Sequence, residues 1–474
     1  MQSASGAGAP AGAVELREDV PLKSSGGGGG GTWCGGGAWC AAGPRLIAGC
    51  FAALSAAITL ALLTQIYSGD YEVVPHGSVS SSAAECSRAG TDALKAGGRA
   101  VDAAVAAALC LAVVAPHRTS LDASGALVYW EYRRWRSQPA EIVEWGGAGG
   151  AGGGEEARPP RLVAALAVLH ARRGVLPWAR LLQPAADLAR LGFPVSEGLA
   201  TALATEAAAG GGTGAAPAPG STSAAPALAA YLHSLQANTS AQLSLAWGAE
   251  AMVSVSTGSP TPAGAWRVVT PRAGAARVLA AALAPPAVTD PDLLTRRVVV
   301  ELQKEAMAAE GGAWPPPGVA TGLAVVDPLD TYLALVTGVS VPFGSGPATA
   351  AGWTRDEPRA PLDLAPALLT DDHACGTRYV IGAESSSALA QGGAALAVGG
   401  GVGSVERARV SLVARGGGAL ALEALRALPP PAALPATPAA NATPPYAALN
   451  VVQQRGDALL SHADSRGGGL ASRF

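Results

Sequence analysis

In the stretch Gly318-Val319-Ala320-Thr321-Gly322-Leu323, Thr321 is the residue whose type and setting could supply a nucleophile. A hydroxyl attacks poorly unless a base lies beside it. Cutting the chain just before a threonine frees an α-amino group that can be that base. Read without the cut, Thr321 is merely a strand-opening residue. Other chemistries find less support. The six histidines are scattered, and there is no His-x-x-x-His or Cys-x-x-Cys pair, which argues against a metal site. The glycine run at 26–31 is not followed by Gly-Lys-Ser/Thr, and the run at 399–403 lacks a strand-turn-helix setting, so neither reads as a phosphate cradle. No cofactor is expected.

The elements around Thr321 read as a hairpin. A Pro-rich segment at 314–317 excludes a strand, 323–326 is apolar, Asp327-Pro328-Leu329-Asp330 is a turn, and 331–337 is apolar and β-branched. Thr321 then lies at the leading edge. Upstream, 82–96 reads as a helix with a serine start signal, Gly97-Gly98 as a stop, and 99–115 as a second helix ended by Pro116. Beyond Asp102 that second helix is apolar on every side and too short to span a membrane, which predicts a core helix. Cys86 lies eleven residues before Gly97 and Cys110 twelve after Gly98, so an antiparallel hairpin brings the two sulfurs level. They form either a bridge or two buried thiols.

Further along, 126–130 and 141–145 read as strands, 162–173 and 177–192 as helices, 208–227 and 254–264 as loops, 275–283 and 292–309 as helices, and 379–383 as a strand. Asn238-Thr239-Ser240 is a glycosylation acceptor, and Asn441-Ala442-Thr443 is a poorer one because Pro444 follows.

The chain has 474 residues, 49% of them hydrophobic, enough for one large or two medium domains. With 62 glycines and only 5% aromatics, part of that length is low-complexity filler. A net charge of -3 argues against nucleic acid as a partner. Residues 46–67 carry no charge, and at about 1.5 Å per residue they span a bilayer core of roughly 30 Å. Arg45 precedes the run, Asp70 and Glu72 follow it, and residues 1–45 read as a disordered tail. That arrangement predicts a signal anchor with a cytoplasmic N-terminus, a single-pass type II topology in the plasma membrane or secretory pathway. Cys86, Cys110 and Cys375 would then meet an oxidising compartment, which favours the bridge.

Three blocks carry a family resemblance. Cys86-Ser87-Arg88-Ala89-Gly90 with Gly97-Gly98-Arg99-Ala100-Val101-Asp102 through Ala115-Pro116-His117 resembles the start of a γ-glutamyltransferase, also called glutathione hydrolase. Gly174-Val175-Leu176-Pro177-Trp178 through Gly192-Phe193-Pro194-Val195 is similar to the same family. Residues 336–345, ending Pro342-Phe343-Gly344-Ser345, resemble its small-subunit hairpin; Gln65-Ile66-Tyr67 and Gly69-Asp70 lean toward a membrane-anchored member.

The resemblance implies an α+β chain with a four-layer αββα sandwich of the N-terminal nucleophile type, preceded by one transmembrane helix. It implies a large-subunit-like region at 73–319 and a small-subunit-like region at 320–474, separated by self-cleavage. Thr321 would attack a γ-glutamyl amide of glutathione or a γ-glutamyl peptide. Asp356 would hold the substrate's amino group, and the amides of Ser385 and Ser386 would face the oxyanion. The family's carboxylate-gripping Arg-Glu pair has no counterpart after Glu144-Trp145, where Gly146-Gly147 follow. The alternative is therefore a membrane-anchored pseudoenzyme with a binding or scaffolding role.

Overall fold

The computed structural model describes residues 42–68, 76–134, 138–146, 158–208, 217–308, 319–358, 361–371, 376–399, 401–407, 410–415, 419–424, 436–437, 447–464 and 468–474. Asn441, Cys375, the tail before residue 42 and the 314–317 segment lie outside these residues. The chain divides into two units, Met1–Glu72 and Val73–Phe474. In the first, α1 (Ala42–Ser68) contains a window, Leu46–Thr64, long and apolar enough to cross a membrane.

The second unit is built on two antiparallel sheets. One has the order β18 (Leu470–Arg473), β1 (Ser78–Ser81), β9 (Val319–Val326), β10 (Thr331–Val339), β2 (Ser124–Glu131), β3 (Glu141–Trp145), β6 (Val253–Thr257). The other runs β17 (Ala458–Ala463), β16 (Leu449–Arg455), β12 (Arg378–Ala383), β11 (Ala365–Asp371), β8 (Trp266–Val269), β7 (Thr261–Ala263). Smaller pairings join β4 (Phe193–Pro194) to β5 (Thr222–Ser223), and β13 (Val410–Arg415) to β14 (Ala419–Ala424) and β15 (Ala436–Thr437). Strands from either side of residue 320 share both large sheets, so the chain before and after that residue interleaves.

Side chains alternate along each strand, and the alternation sorts the packing. Leu323 and Val325 of β9 and Leu333 and Leu335 of β10 join a core with helices α2 (Ala84–Lys95), α3 (Ala100–Val114), α4 (Arg161–Arg173) and α5 (Trp178–Leu191). Their neighbours Ala324, Val326, Tyr332 and Ala334 meet Leu368, Val380 and Val452 of the other sheet. That sheet's opposite face, through Tyr379 and Ile381, packs on α9 (Ala273–Ala282), α10 (Pro291–Ala308) and α11 (Ser386–Gly399). The peripheral helices are α6 (Glu197–Glu206), α7 (Pro226–Leu235), α8 (Ser240–Trp247) and the short α12 (Ser404–Arg407).

At one point the sheets touch backbone to backbone. A Cβ on Gly322 would lie 2.2 Å from the carbonyl oxygen of Gly382, and one on Gly382 would lie 2.7 Å from the Leu323 nitrogen. Only glycine permits that approach.

The core helix is as expected: every residue of α3 is buried. Its alanines let α2 lie close, and Cys86 and Cys110 are joined by a disulfide across Cα atoms 5.3 Å apart. Asp327 shapes the hairpin turn by accepting from the backbone nitrogens of Leu329 and Thr331, and from that of Ala100 at the start of α3. Two expectations are corrected. Residues 254–264 are not a loop but hold β6 and β7, whose Ser, Thr and Pro content reflects exposed sheet edges rather than the absence of a strand. The 208–227 stretch likewise ends in β5 and the first turn of α7, with Pro226 at a helix start that tolerates it.

Candidate active site

Thr321 is the third residue of β9, paired with Thr337 of β10, and only 1% exposed. The strand opens at Val319, so Thr321 lies inside it rather than ahead of it. By alternation its side chain shares the face of Leu323 and Val325, which turns toward the helices.

Its hydroxyl meets Ser82, which follows β1 and precedes α2. The two oxygens are 2.9 Å apart. Asn450 Nδ2, from β16, lies 3.1 Å from Ser82 Oγ and 2.8 Å from the carbonyl oxygen of Gly322. Ser82 Oγ is 3.4 Å from Glu384 Oε1, at the end of β12. The partners fix the direction of each bond. A backbone carbonyl only accepts, so the end of the Asn450 amide facing Gly322 is its NH2, which must also donate to Ser82. A carboxylate only accepts, so Ser82 donates its hydrogen to Glu384. Thr321 therefore donates to Ser82, and the hydrogens run in one direction, Thr321 to Ser82 to Glu384.

Glu384 is enclosed. Arg118 Nη1 lies 3.0 Å from Oε1, and the Ala448 backbone nitrogen donates to Oε2 at 2.8 Å. Burial raises the Glu384 pKa, and the Arg118 guanidinium opposes the rise. Next in the chain, His117 is held down to a pKa of about 3, first by burial and then by the charge of Arg118. Its Nδ1 has no hydrogen-bond partner among the described residues. Beside it, Thr119 Oγ1 and Thr337 Oγ1 are 2.8 Å apart, tying the loop after α3 to the strand opposite Thr321.

The residues expected on the substrate side are engaged within the chain. Asp356 is fully buried and accepts from the backbone and hydroxyl of both Ser340 and Ser345. Its carboxylate pins the turn that follows β10. Ser386 gives its backbone hydrogen and its hydroxyl to Asp363, whose pKa burial raises. Ser385 Oγ accepts from the Ala388 nitrogen at the start of α11. An arginine-glutamate pair does form at the end of β3, but its arginine comes from far along the chain: Arg272 reaches Glu144 at 3.1 Å. Asn238 is exposed. A separate cavity of about 190 Å³, lined by Leu294, Val298, Gln391 and Val398 among others, shares no residue with the Thr321 cluster.

Residues 86–139 and 151–254 match a family model described as Gamma-glutamyltranspeptidase. In that segment the chain resembles the gamma-glutamyltranspeptidases. Glutathione hydrolase 7 from Bos taurus is 38% identical over 164 residues, 32% of this chain and 24% of the relative. Glutathione hydrolase 6 from Rattus norvegicus is 43% identical over 143 residues, 29% of this chain and 27% of the relative. The chain thus spans about a quarter of the curated relatives it matches. Among solved structures, cephalosporin acylase from Bacillus halodurans superposes with a TM-score of 0.63 over 84% of this chain and 96% of its own, at 15% identity. That likeness concerns the fold alone. The gamma-glutamyltranspeptidase-like segment holds the disulfide, Arg118 and His117, whereas Thr321, Glu384 and Asn450 lie beyond it.

Sequence reasoning missed four residues of this cluster: Ser82, Arg118, Glu384 and Asn450. The serine start signal places Ser82 at the head of a helix, yet α2 begins at Ala84 with no side-chain cap. The available signal was two opposite charges, Arg118 and Glu384, each alone in an apolar or small-residue stretch.

Proposed function

We propose that Val73–Phe474 is an acyl-transfer unit of the N-terminal nucleophile class, a four-layer αββα sandwich that takes γ-glutamyl amides such as glutathione. Cleavage of the Ala320–Thr321 bond would leave Thr321 as an N-terminal residue. Its Oγ1 then attacks the γ-glutamyl carbonyl carbon and the amine leaves. The acyl group passes from Oγ1 to water or to an amino acid. On this reading Asp356 and the Ser385 and Ser386 amides belong to the substrate side, and α1 anchors the chain with its folded unit outside the cytosol. The disulfide supports that placement, because such bridges persist in oxidising compartments, and Asn238 is then a glycan acceptor.

The observation that carries this reading is the Thr321 hydroxyl, set near the start of a strand and hydrogen-bonded through Ser82 to the buried Glu384. A denaturing gel and hydrolysis of a γ-glutamyl anilide test it. Two fragments split at Ala320 are expected, with anilide hydrolysis falling at least about 10³-fold in Thr321→Ala. Equal rates in mutant and wild type would remove Thr321 from the reaction.

One observation favours a second reading. The carboxylate of Asp356 and the backbone hydrogen of Ser386 are already taken by Ser340, Ser345 and Asp363. A pseudoenzyme that binds or scaffolds would keep such a closed site, and would run as one uncut band.

A further inference from the structure

We infer that Ser82 and Glu384 form the proton path by which Thr321 cleaves the peptide bond before it. The inference rests on Thr321 being the nucleophile and goes beyond that reading by naming its base. Before cleavage the α-amino group does not exist, so a base must come from elsewhere. Thr321 is 1% exposed, so before the cut its hydroxyl faces groups of the fold rather than bulk solvent. Ser82 is the partner its hydroxyl has among the described residues, and Ser82 in turn points its own hydrogen at a carboxylate.

The step balances within the cluster. Thr321 Oγ1 bonds to the carbonyl carbon of Ala320 as its proton moves to Ser82 Oγ and the Ser82 proton moves to Glu384. The carbon-nitrogen bond to Thr321 breaks, and the nitrogen takes a proton back along the same path. The product is an ester between Ala320 and Oγ1. Water splits that ester, leaving a carboxyl group on Ala320 and a free hydroxyl and amine on Thr321.

Two further features suit this role. Asn450 donates to both Ser82 Oγ and the Gly322 carbonyl, so it fixes the serine against the strand that carries the scissile bond. Burial makes the Glu384 carboxylate a stronger proton acceptor than one in water, and the Arg118 guanidinium opposes that rise.

The test follows the appearance of the two fragments from full-length protein over time between pH 5 and 8. Ser82→Ala and Glu384→Gln should each slow cleavage about 10²- to 10³-fold, the usual range for a lost general base. Ser82→Thr keeps a hydroxyl and should cleave within tenfold of wild type. Wild-type cleavage should slow toward low pH as Glu384 takes a proton, and Glu384→Gln should lose that limb.

If Thr321→Ala blocks cleavage while Ser82→Ala, melting like wild type, cleaves at the wild-type rate, the relay is wrong and the nucleophile stands. If Thr321→Ala cleaves as wild type does, or wild type never cleaves, both fall. Loss of the low-pH limb in Glu384→Gln, beside recovery in Ser82→Thr, separates a relay from mere support, which would leave that limb in place.

Discussion

The helical hairpin α2–α3 and the seam where the two sheets meet hold the same unit together by opposite means. In the hairpin α3 is buried along its whole length, and the Cys86–Cys110 bridge ties it to the amphipathic α2. The seam brings two glycine backbones into contact and surrounds them with Thr321, Ser82, Asn450, Glu384 and Arg118. Apolar packing and a disulfide do not titrate. Buried charges depend on each partner, because removing one leaves the other without solvation or a counter-charge. The difference separates a part held mainly by apolar burial and a covalent bridge from a reactive part held by buried charge.

The largest effect should come from the seam. Arg118→Met leaves Glu384 buried with its ion-pair partner gone, and should lower unfolding free energy by about 3 to 5 kcal/mol at neutral pH. Replacing Glu384 by Gln in the same chain should recover part of that loss. Urea unfolding measures both, and a loss below about 1 kcal/mol in the single variant would erase the contrast. Next comes the hairpin. Cys86→Ala with Cys110→Ala opens a loop whose ends are 24 residues apart, which removes about 3 kcal/mol. The loss should be equal at pH 5 and pH 8, because neither the bridge nor the alanines that replace it titrate in that range.

The same contrast governs what could be read without coordinates. The α3 helix, the 319–339 hairpin and the strands β2, β3 and β12 were legible because their residues are apolar in runs or at the period of their element. Edge strands β6 and β7 were not, since an exposed edge holds Ser and Thr as a loop does. Strands β16 to β18 gave no expectation at all. The cluster around Thr321 was beyond spacing arguments: its partners lie 239, 302 and 368 residues apart in sequence and meet through pairing within each sheet and the packing of one sheet on the other. A type and a neighbourhood pointed to Thr321, but nothing local pointed to what it touches.

Acidification sharpens the comparison further. His117 stays neutral in the folded chain down to about pH 3, whereas an unfolded histidine takes a proton below about 6.5. A depressed histidine pKa means that the unfolded state binds more protons between these values, so stability falls as pH drops through that window. At pH 5 the loss from this group is about 2 kcal/mol, and His117→Gln should flatten that part of the curve. The disulfide-free variant should retain it. A pH profile unchanged by His117→Gln would place the titration elsewhere.

The smallest effect concerns whether the substrate-side carboxylate belongs to the scaffold or to recognition. Asp356 Oδ1 accepts from two backbone nitrogens and two hydroxyls, and Oδ2 from the Ser340 nitrogen as well. Asp356→Asn replaces one accepting oxygen by a donor that faces other donors, which should lower stability by about 1 to 2 kcal/mol. If the carboxylate serves the turn, KM for a γ-glutamyl anilide stays within twofold of wild type. A tenfold rise in KM at unchanged melting temperature would assign Asp356 to the substrate. The turn formed by Ser340 and Ser345 would then have to open when substrate binds, and the recognition side would be as dependent on its partners as the seam beside it.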